Sequence, residues 1–177
     1  GIDFSHKFKK ISNSLNLQEH PMILDGEIVA YDDKGKPNFQ WLQRIGDNPD
    51  LALTFQVFDL LWLNGHSTEN LSYLQRKELL KDALIENEII KYSDHILEKG
   101  RDFFQAAKDM GLEGIVAKKT DSLYKENLRS SEWLKIKIHK SDEAVICGFT
   151  EPKGSRKKFG ALILGKYLNG EMVFCGH

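Results

Sequence analysis

The fold is decided by residues 23–31, which read Ile-Leu-Asp-Gly-Glu-Ile-Val-Ala-Tyr. Aliphatic and β-branched residues dominate this stretch, and a turn signal rich in Asp, Gly and Pro follows it, so the pattern predicts a strand. Side chains two apart on a strand share a face, so Asp25 and Glu27 are expected to point the same way. Two carboxylates this close oppose each other's ionisation unless a cation neutralises them. The alternative is a pair of acidic residues on the solvated face of an edge strand.

A second apolar stretch with a Glu-Gly pair covers residues 112–119 and reads Leu-Glu-Gly-Ile-Val-Ala-Lys-Lys. It predicts another strand, and it places Glu113 directly before Gly114. Repetition of the same arrangement favours a cation-binding interpretation of the acidic strands.

A third stretch, residues 133–138, alternates strictly between apolar and polar side chains: Trp-Leu-Lys-Ile-Lys-Ile. The alternation predicts a strand that buries Leu134, Ile136 and Ile138 and directs Trp133, Lys135 and Lys137 to the other face. Two lysines two apart beside an aromatic ring can hold an anion in the same cleft as the carboxylates. A strand with one solvated face explains the alternation equally well.

The periodicity between these stretches predicts helices at residues 5–15, 39–45, 72–85 and 101–110, with Gly111 as the cap of the last one. Strands are predicted at residues 51–63, in the middle of a covered sheet, and at residues 89–92. In the helix at 72–85 the predicted inward residues are Leu79, Leu80 and Leu84, and the mostly outward residues are Arg76, Lys77, Glu78 and Lys81. Residues 120–132 are polar and are predicted to be a flexible connection.

The pattern changes to short strands after a predicted linker at residues 139–142. Strands are expected at 143–149, 159–167 and 171–175, which is typical of the beginning of a small β-barrel. We therefore predict two domains, at residues 1–140 and 141–177. The loop at 151–158 is basic and suits contact with a phosphate backbone, although a solvated loop is the commoner case. Its candidate DNA-binding residues are Lys153, Arg156, Lys157 and Lys158.

Charge is distributed unevenly along the 177 residues, although the net charge is only -1. Residues 1–117 carry 13 basic and 19 acidic side chains, whereas residues 118–158 carry 11 basic and 6 acidic ones. This asymmetry would suit one flank that meets a polyanion, and a solvated lysine-rich face is the simpler alternative.

The sequence has no apolar run of about 18 residues and no signal segment at its start, which predicts a cytoplasmic protein. Cys147 and Cys175 lack metal-type spacing, and they are expected to be reduced packing residues. Because the chain begins with Gly1 instead of Met, we expect it to be a piece of a longer polypeptide.

The motifs of four separate stretches occur in the order found in the covalent nucleotidyltransferases. They are Asp25-Gly26-Glu27, Phe58-Asp59-Leu60-Leu61, the segment from Glu113 to Lys118, and the segment from Trp133 to Lys137. The chain thus resembles the superfamily of ATP-dependent DNA ligases, RNA ligases and mRNA capping enzymes. Its tail, from Asp142 to Thr150 with Gly154 and Phe159 to Leu162, is similar to the ligase domain of bacterial multifunctional end-joining ligases.

The resemblance implies an α+β fold. It implies a nucleotidyltransferase (ATP-grasp-like) domain with antiparallel or mixed sheets and flanking helices, followed by the start of an OB-fold β-barrel. It also implies that a lysine takes AMP from ATP and passes it to a 5′-phosphate of nicked or broken double-stranded DNA, where the 3′-hydroxyl displaces it. The implied partners in an intact protein are end-joining proteins and fused polymerase or nuclease domains.

The same resemblance implies roles for individual residues. Glu113 would hold Mg²⁺ (or Mn²⁺), and Asp25 and Glu27 would serve the metal or the ribose of ATP. Lys135 and Lys137 would bind the α-phosphate. Phe58 would stack on adenine, although its apolar strand is also compatible with a pure core role.

One motif of the family is missing, because no Lys-x-Asp-Gly occurs in the chain. The nucleophilic lysine is therefore expected to lie before Gly1, and the later barrel motifs after His177. We predict that this chain alone forms no AMP adduct. Three alternatives stay open: a capping or RNA-ligase enzyme, a non-catalytic DNA-binding module on the same scaffold, and an α+β domain whose acidic strands are coincidental.

Overall fold

A computed structural model describes residues 1–43, 51–126, 130–139, 143–155 and 157–177. The helices are α1 (Lys9–Leu15), α2 (Phe39–Gln43), α3 (Tyr73–Ala83) and α4 (Gly100–Asp109). The strands are β1 (Met22–Ala30), β2 (Leu53–Leu63), β3 (His66–Ser67), β4 (Ile90–Tyr92), β5 (Gly114–Lys118), β6 (Trp133–Lys137), β7 (Val145–Phe149), β8 (Leu162–Leu168) and β9 (Glu171–Gly176). The chain divides into two compact units, Gly1–Lys137 and Ile138–His177.

Strand β2 is the centre of the first unit's main sheet. It pairs with β1 and β3 antiparallel and with β4 parallel, so the predicted mixed α+β architecture is confirmed. Val57 and Leu60 of β2 are fully buried, and they pack with Leu80 of α3 and Ile90 of β4. The expected central strand is confirmed, although it begins at Leu53 and not at residue 51.

Helix α3 begins at a capping box, in which Ser72 and Gln75 bond to each other's backbone N–H groups. Two of the residues predicted to point outward, Arg76 and Lys77, are fully buried, so that prediction is wrong for them. Leu79, which was predicted to point inward, is 36% exposed. Arg76 precedes Leu80 and Leu84 at intervals of four, and this stripe faces β2.

Helix α1 starts at Lys9 and not at residue 5. Phe8, with φ of -115° and ψ of 51°, departs from helical geometry, so it separates the turn at residues 4–8 from α1. At the end of α4, Gly111 adopts a φ of 73°, as the predicted cap of this helix requires.

The predicted helix at 39–45 corresponds to α2, which covers Phe39–Gln43. Residues 44 and 45 of the prediction lie outside the described residues.

Strands β5 and β6 form a separate two-stranded antiparallel sheet in the first unit. The predicted burial of one face is wrong, because Leu134 is 52% and Ile136 40% exposed. In the described part of the chain β6 pairs with β5 alone, and a two-stranded sheet of this size leaves much of its apolar face open.

The second unit contains an antiparallel sheet in the order β7-β8-β9. Its three strands do not close a barrel, and the assignment as the start of an OB-fold stays a prediction. Cys147 and Cys175 are free thiols, as expected, but both are exposed, so their predicted packing role is wrong. Among the described residues, no helix is long and apolar enough to cross a membrane.

Candidate functional site

The strand β1 carries its acidic residues at an irregularity in the sheet. Asp25 pairs with Asp59 and Gly26 pairs with Val57, so Phe58 of β2 has no partner and forms a bulge. A Cβ on Gly26 would lie 2.6 Å from both the Phe55 ring and the Gln56 carbonyl oxygen. Only glycine therefore allows this close approach of the strands beside Asp25.

Asp25 and Glu27 lie in different surroundings. The Asp25 carboxylate is half-buried and accepts a hydrogen bond of 3.0 Å from the Tyr124 hydroxyl, whereas Glu27 is exposed. Burial and the neighbouring Asp25 raise the pKa of Tyr124 to about 12, so the phenol stays a proton donor. Asp25 thereby connects β1 to the segment that follows β5.

Four aromatic rings from four segments form what we call the aromatic cluster: Phe58 of β2, Tyr73 of α3, Tyr124 of the segment after β5, and Trp133 of β6. The Trp133 ring lies 6.3 Å from Phe58, 6.0 Å from Tyr73 and 5.8 Å from Tyr124, in each case edge to face. Such contacts stabilise the cluster beyond the area that they bury. Strand β2, helix α3 and the β5–β6 sheet therefore meet at Trp133.

Lys118 inserts its ammonium into this cluster. Its Nζ lies 3.6 Å from the ring centroid of Trp133, 3.9 Å from that of Phe58 and 4.8 Å from that of Tyr73. The atom is buried and has no hydrogen-bond partner among the described residues. Burial lowers the pKa of Lys118 to about 8, although Asp59 and Asp25 act in the opposite direction.

A buried ion pair supports the cluster from the side of the core. Arg76 donates from Nε and Nη2 to the two carboxylate oxygens of Asp59, at 2.7 and 2.9 Å. Its Nη1 donates to the carbonyls of Leu71 and Ser122 at 2.7 and 3.2 Å. Ser122 Oγ in turn accepts from Trp133 Nε1 at 3.4 Å. Arg76 thus fixes the segment after β5 against β2 and α3.

Those contacts change the interpretation of residues 120–132. The predicted flexible connection is wrong for its described first part, where Ser122 is buried and the Thr120 carbonyl accepts from the backbone of Leu74. Residues 127–129 lie outside the described residues. The sequence gives no sign of these contacts, because the hydrogen bonds are accepted by the backbone carbonyls of Thr120 and Ser122, which every residue type carries.

Lys135, Lys137 and Glu113 lie along the β5–β6 sheet. Lys118 pairs with Trp133, Val116 with Lys135, and Gly114 with Lys137, so the two lysines follow Trp133 on one face of β6. Both lysines are exposed. Glu113 is also exposed and precedes Gly114, whose φ of 153° admits the close approach of the Ile136 carbonyl oxygen.

The acidic residues that the structure describes form no metal centre by themselves. Among the described residues there is no group of three or more His, Cys, Asp or Glu side chains that could hold a metal ion. The assignment of Asp25, Glu27 and Glu113 as metal ligands stays a prediction. Phe58 belongs to the aromatic cluster and Asp25 is bonded to its Tyr124, whereas within the described residues no contact joins Glu27 to the cluster.

The basic loop belongs to the second unit. Lys153, Lys157 and Lys158 are exposed, and Arg156 lies outside the described residues. Their predicted contact with DNA stays a prediction.

Sequence reasoning missed Lys118, Tyr124 and Arg76 as site residues. Lys118 ends the motif that begins at Glu113, but its inward direction depends on pairing with Trp133. Arg76 lies four residues before Leu80, so the two share a face of α3, and this spacing could have predicted the burial of Arg76. Tyr124 lay in a polar segment and carried no such signal.

Comparison with known proteins gives the family. The sequence model described as "ATP dependent DNA ligase domain" matches residues 3–137. The chain belongs to this family.

Two curated relatives of this ligase-family chain are named multifunctional non-homologous end joining protein LigD. The relative from Pseudomonas aeruginosa is 38% identical over 176 residues, which covers 94% of this chain and 20% of the relative. The relative from Mycolicibacterium smegmatis is 37% identical over 151 residues, which covers 85% of this chain and 19% of the relative. The chain spans about a fifth of the length of these relatives.

Solved ligase structures resemble the chain over nearly all of its length. The ligase domain of LigD from M. tuberculosis has a TM-score of 0.67 at 30% identity, covering 99% of this chain and 57% of that chain. A mycobacterial DNA ligase D complexed with ATP and MES has a TM-score of 0.69 at 28% identity, covering 99% of this chain and 56% of that chain. The expected nucleotidyltransferase fold is confirmed.

Proposed function

We propose that this chain is part of an ATP-dependent DNA ligase that seals nicks or breaks in double-stranded DNA during end joining in the bacterial cytoplasm. The observation that carries the proposal is the convergence of three family motifs, because Phe58 contacts Trp133 of the β5–β6 sheet directly and Asp25 is connected to Trp133 through Tyr124. The named relatives are multifunctional end-joining proteins, which supports an end-joining role. Fused polymerase or nuclease domains in an intact protein are part of the proposal.

ATP is the proposed cofactor, and the aromatic cluster is its proposed base site. Phe58 would stack on adenine, a contact that contributes about 1–3 kcal/mol in comparable base stacking. Lys135 and Lys137 would bind the α-phosphate, since their exposed ammonium groups extend along the same face of β6 as Trp133. A mycobacterial neighbour of similar fold was solved with ATP, which supports ATP as the cofactor.

Mg²⁺ (or Mn²⁺) is the proposed metal, held by Glu113 with Asp25 or Glu27. Carboxylate oxygens fit this ion, which keeps several waters and needs only one or two protein carboxylates. When bound, the ion would neutralise negative charge that develops on the phosphate oxygens.

The chain alone is proposed to be inactive in the covalent step, because it contains no Lys-x-Asp-Gly motif. Incubation with α-labelled ATP and Mg²⁺, followed by denaturing gel electrophoresis, tests this point. We expect no labelled band. A stable adduct would contradict the proposal of inactivity.

Titration calorimetry with ATP, with and without Mg²⁺, tests the proposed function. The wild-type chain is expected to bind ATP better with Mg²⁺, and Lys135→Ala and Glu113→Ala should weaken this binding by about tenfold or more, as removal of an interaction with a charged group does. Lys34→Ala is the matched control, because Lys34 is exposed in the turn after β1. Salt-sensitive DNA binding without any ATP binding would instead favour a non-catalytic DNA-binding module.

A further inference from the structure

Tyr124 is held in place by contacts that do not involve its hydroxyl. Its backbone N–H donates to the carbonyl of Glu69 at 3.1 Å. Its ring centroid lies 5.8 Å from that of Trp133, edge to face, and 5.8 Å from Cζ of Arg76. Because Arg76 is itself buried and paired with Asp59, these contacts tie the Tyr124 ring to the core of the first unit. The position of the hydroxyl is therefore set independently of the group that it bonds to.

That group is one oxygen of the Asp25 carboxylate. The Tyr124 hydroxyl donates to Oδ2 at 3.0 Å, and Oδ1 accepts no hydrogen bond from the residues that the structure describes. The protein thus fixes one oxygen and leaves the other for a further partner. Glu27 lies on the same face of β1, but it is exposed and no described side chain orients it. The structure therefore distinguishes the two acidic residues of this strand.

A hydrogen bond of this kind is what a carboxylate needs in order to bind a cation tightly. Carboxylates that bind metals are commonly held by a neighbouring donor that does not itself contact the metal. The bond restricts rotation of the carboxylate, so less conformational freedom is lost when the ion binds. Removal of such a partner typically weakens metal binding by roughly 10–100-fold.

We propose that Tyr124 is a positioning residue, whose hydroxyl fixes Asp25 so that its free oxygen, Oδ1, can bind the Mg²⁺ that accompanies ATP. This inference rests on the proposed function, and it assigns the metal to Asp25 in preference to Glu27. Tyr124 itself contacts neither the ion nor the nucleotide, and it acts through Asp25. The alternative is that the bond only anchors the segment after β5 to β1.

Calorimetry with ATP, in Mg²⁺ and in EDTA, tests the proposal on the wild-type chain and on Tyr124→Phe. Phenylalanine keeps the ring and its contacts and removes only the hydroxyl. We expect Tyr124→Phe to raise the Kd for ATP about tenfold in Mg²⁺ and to leave the Kd in EDTA unchanged, which also shows that the variant is folded. Tyr167→Phe is the matched control, because Tyr167 is 66% exposed in β8 of the second unit and should change neither Kd.

Asp25→Asn provides a second test, which shows whether Tyr124 acts through Asp25. Once the carboxylate is replaced, the hydroxyl has no metal ligand to position. The double variant Tyr124→Phe/Asp25→Asn should therefore bind ATP in Mg²⁺ with the same Kd as Asp25→Asn alone. If Tyr124→Phe weakened binding by the same factor in both backgrounds, Tyr124 would act independently of Asp25 and the inference would be wrong.

A purely structural bond gives a different pattern of Kd values. Tyr124→Phe would then raise the Kd in Mg²⁺ and in EDTA by the same factor, or it would change neither. Either result refutes the positioning role, while tighter binding of ATP by the wild-type chain in Mg²⁺ keeps the proposed function. If the wild-type chain binds no ATP, or binds it equally in Mg²⁺ and in EDTA, the proposed function and this inference are both wrong.

Discussion

Trp133 shows how a single residue can join three segments of the chain. Its ring contacts Phe58 of β2, Tyr73 of α3 and Tyr124 of the segment after β5, and it also borders the ammonium of Lys118. The ring faces bind the Lys118 ammonium, and because this group titrates, the stability of the cluster should depend on pH.

The pKa of Lys118 gives the first prediction. A lysine whose folded pKa is about 8, below its ordinary value of 10.5, binds fewer protons in the folded state than in the unfolded state. The free energy of unfolding should therefore rise between pH 8 and about pH 10.5 because of this group. Urea unfolding at pH 8 and pH 9.5 measures the change.

Lys118→Met is the comparison for that measurement. Because the variant lacks the titrating group, its stability should rise less than that of the wild-type chain over the same pH range. Lys77, whose pKa burial also lowers to about 8, remains in both proteins and cancels from the difference. Equal changes in the two proteins would show that the Lys118 pKa is not lowered.

At the scale of elements, the Asp59–Arg76 pair joins α3 to β2 and to the segment after β5. Arg76→Met should lower the free energy of unfolding by about 3–5 kcal/mol, because it leaves the carboxylate of Asp59 buried and unpaired. Urea denaturation measures this decrease. The double variant Asp59→Leu/Arg76→Met should be destabilised less than Arg76→Met alone, and a larger destabilisation would contradict the account of the pair.

Gly26 is the position where β1 and β2 approach most closely beside Asp25. Gly26→Ala should destabilise the chain by about 1–3 kcal/mol, since the new Cβ would overlap the Phe55 ring and the Gln56 carbonyl. Gly100→Ala is the control, because its Cβ would meet nothing within 4 Å at the start of α4. A destabilisation of the control as large as that of Gly26→Ala would argue against a steric cause.

Elements were more predictable from the sequence than the burial of individual charged residues. Strand β2 and the cap at Gly111 followed from local composition, because turns and apolar runs act within a few residues. The burial of Arg76 and the anchoring of Ser122 depend on partners 17 and 46 residues away from Arg76 in the sequence. No periodic pattern specifies such partners.

At the scale of the whole molecule, the basic residues late in the chain suggest that the second unit contributes to DNA binding. The double variant Lys157→Ala/Lys158→Ala should weaken binding to nicked DNA and should lower the slope of log K against log salt concentration by about 2, since each phosphate that a lysine neutralises adds roughly one to the slope. Fluorescence anisotropy over a salt series measures the slope. With Lys34→Ala as control, an unchanged slope in the double variant would exclude a role for these two lysines at the phosphates.

The central claim is that Asp25, Phe58, Trp133 and the lysines of the β5–β6 sheet form one nucleotide site. A crystal structure of the chain soaked with ATP and Mg²⁺ tests it most directly. The account predicts adenine stacked on Phe58 and phosphate oxygens bonded to Lys135 and Lys137. Nucleotide bound elsewhere on the chain would contradict it.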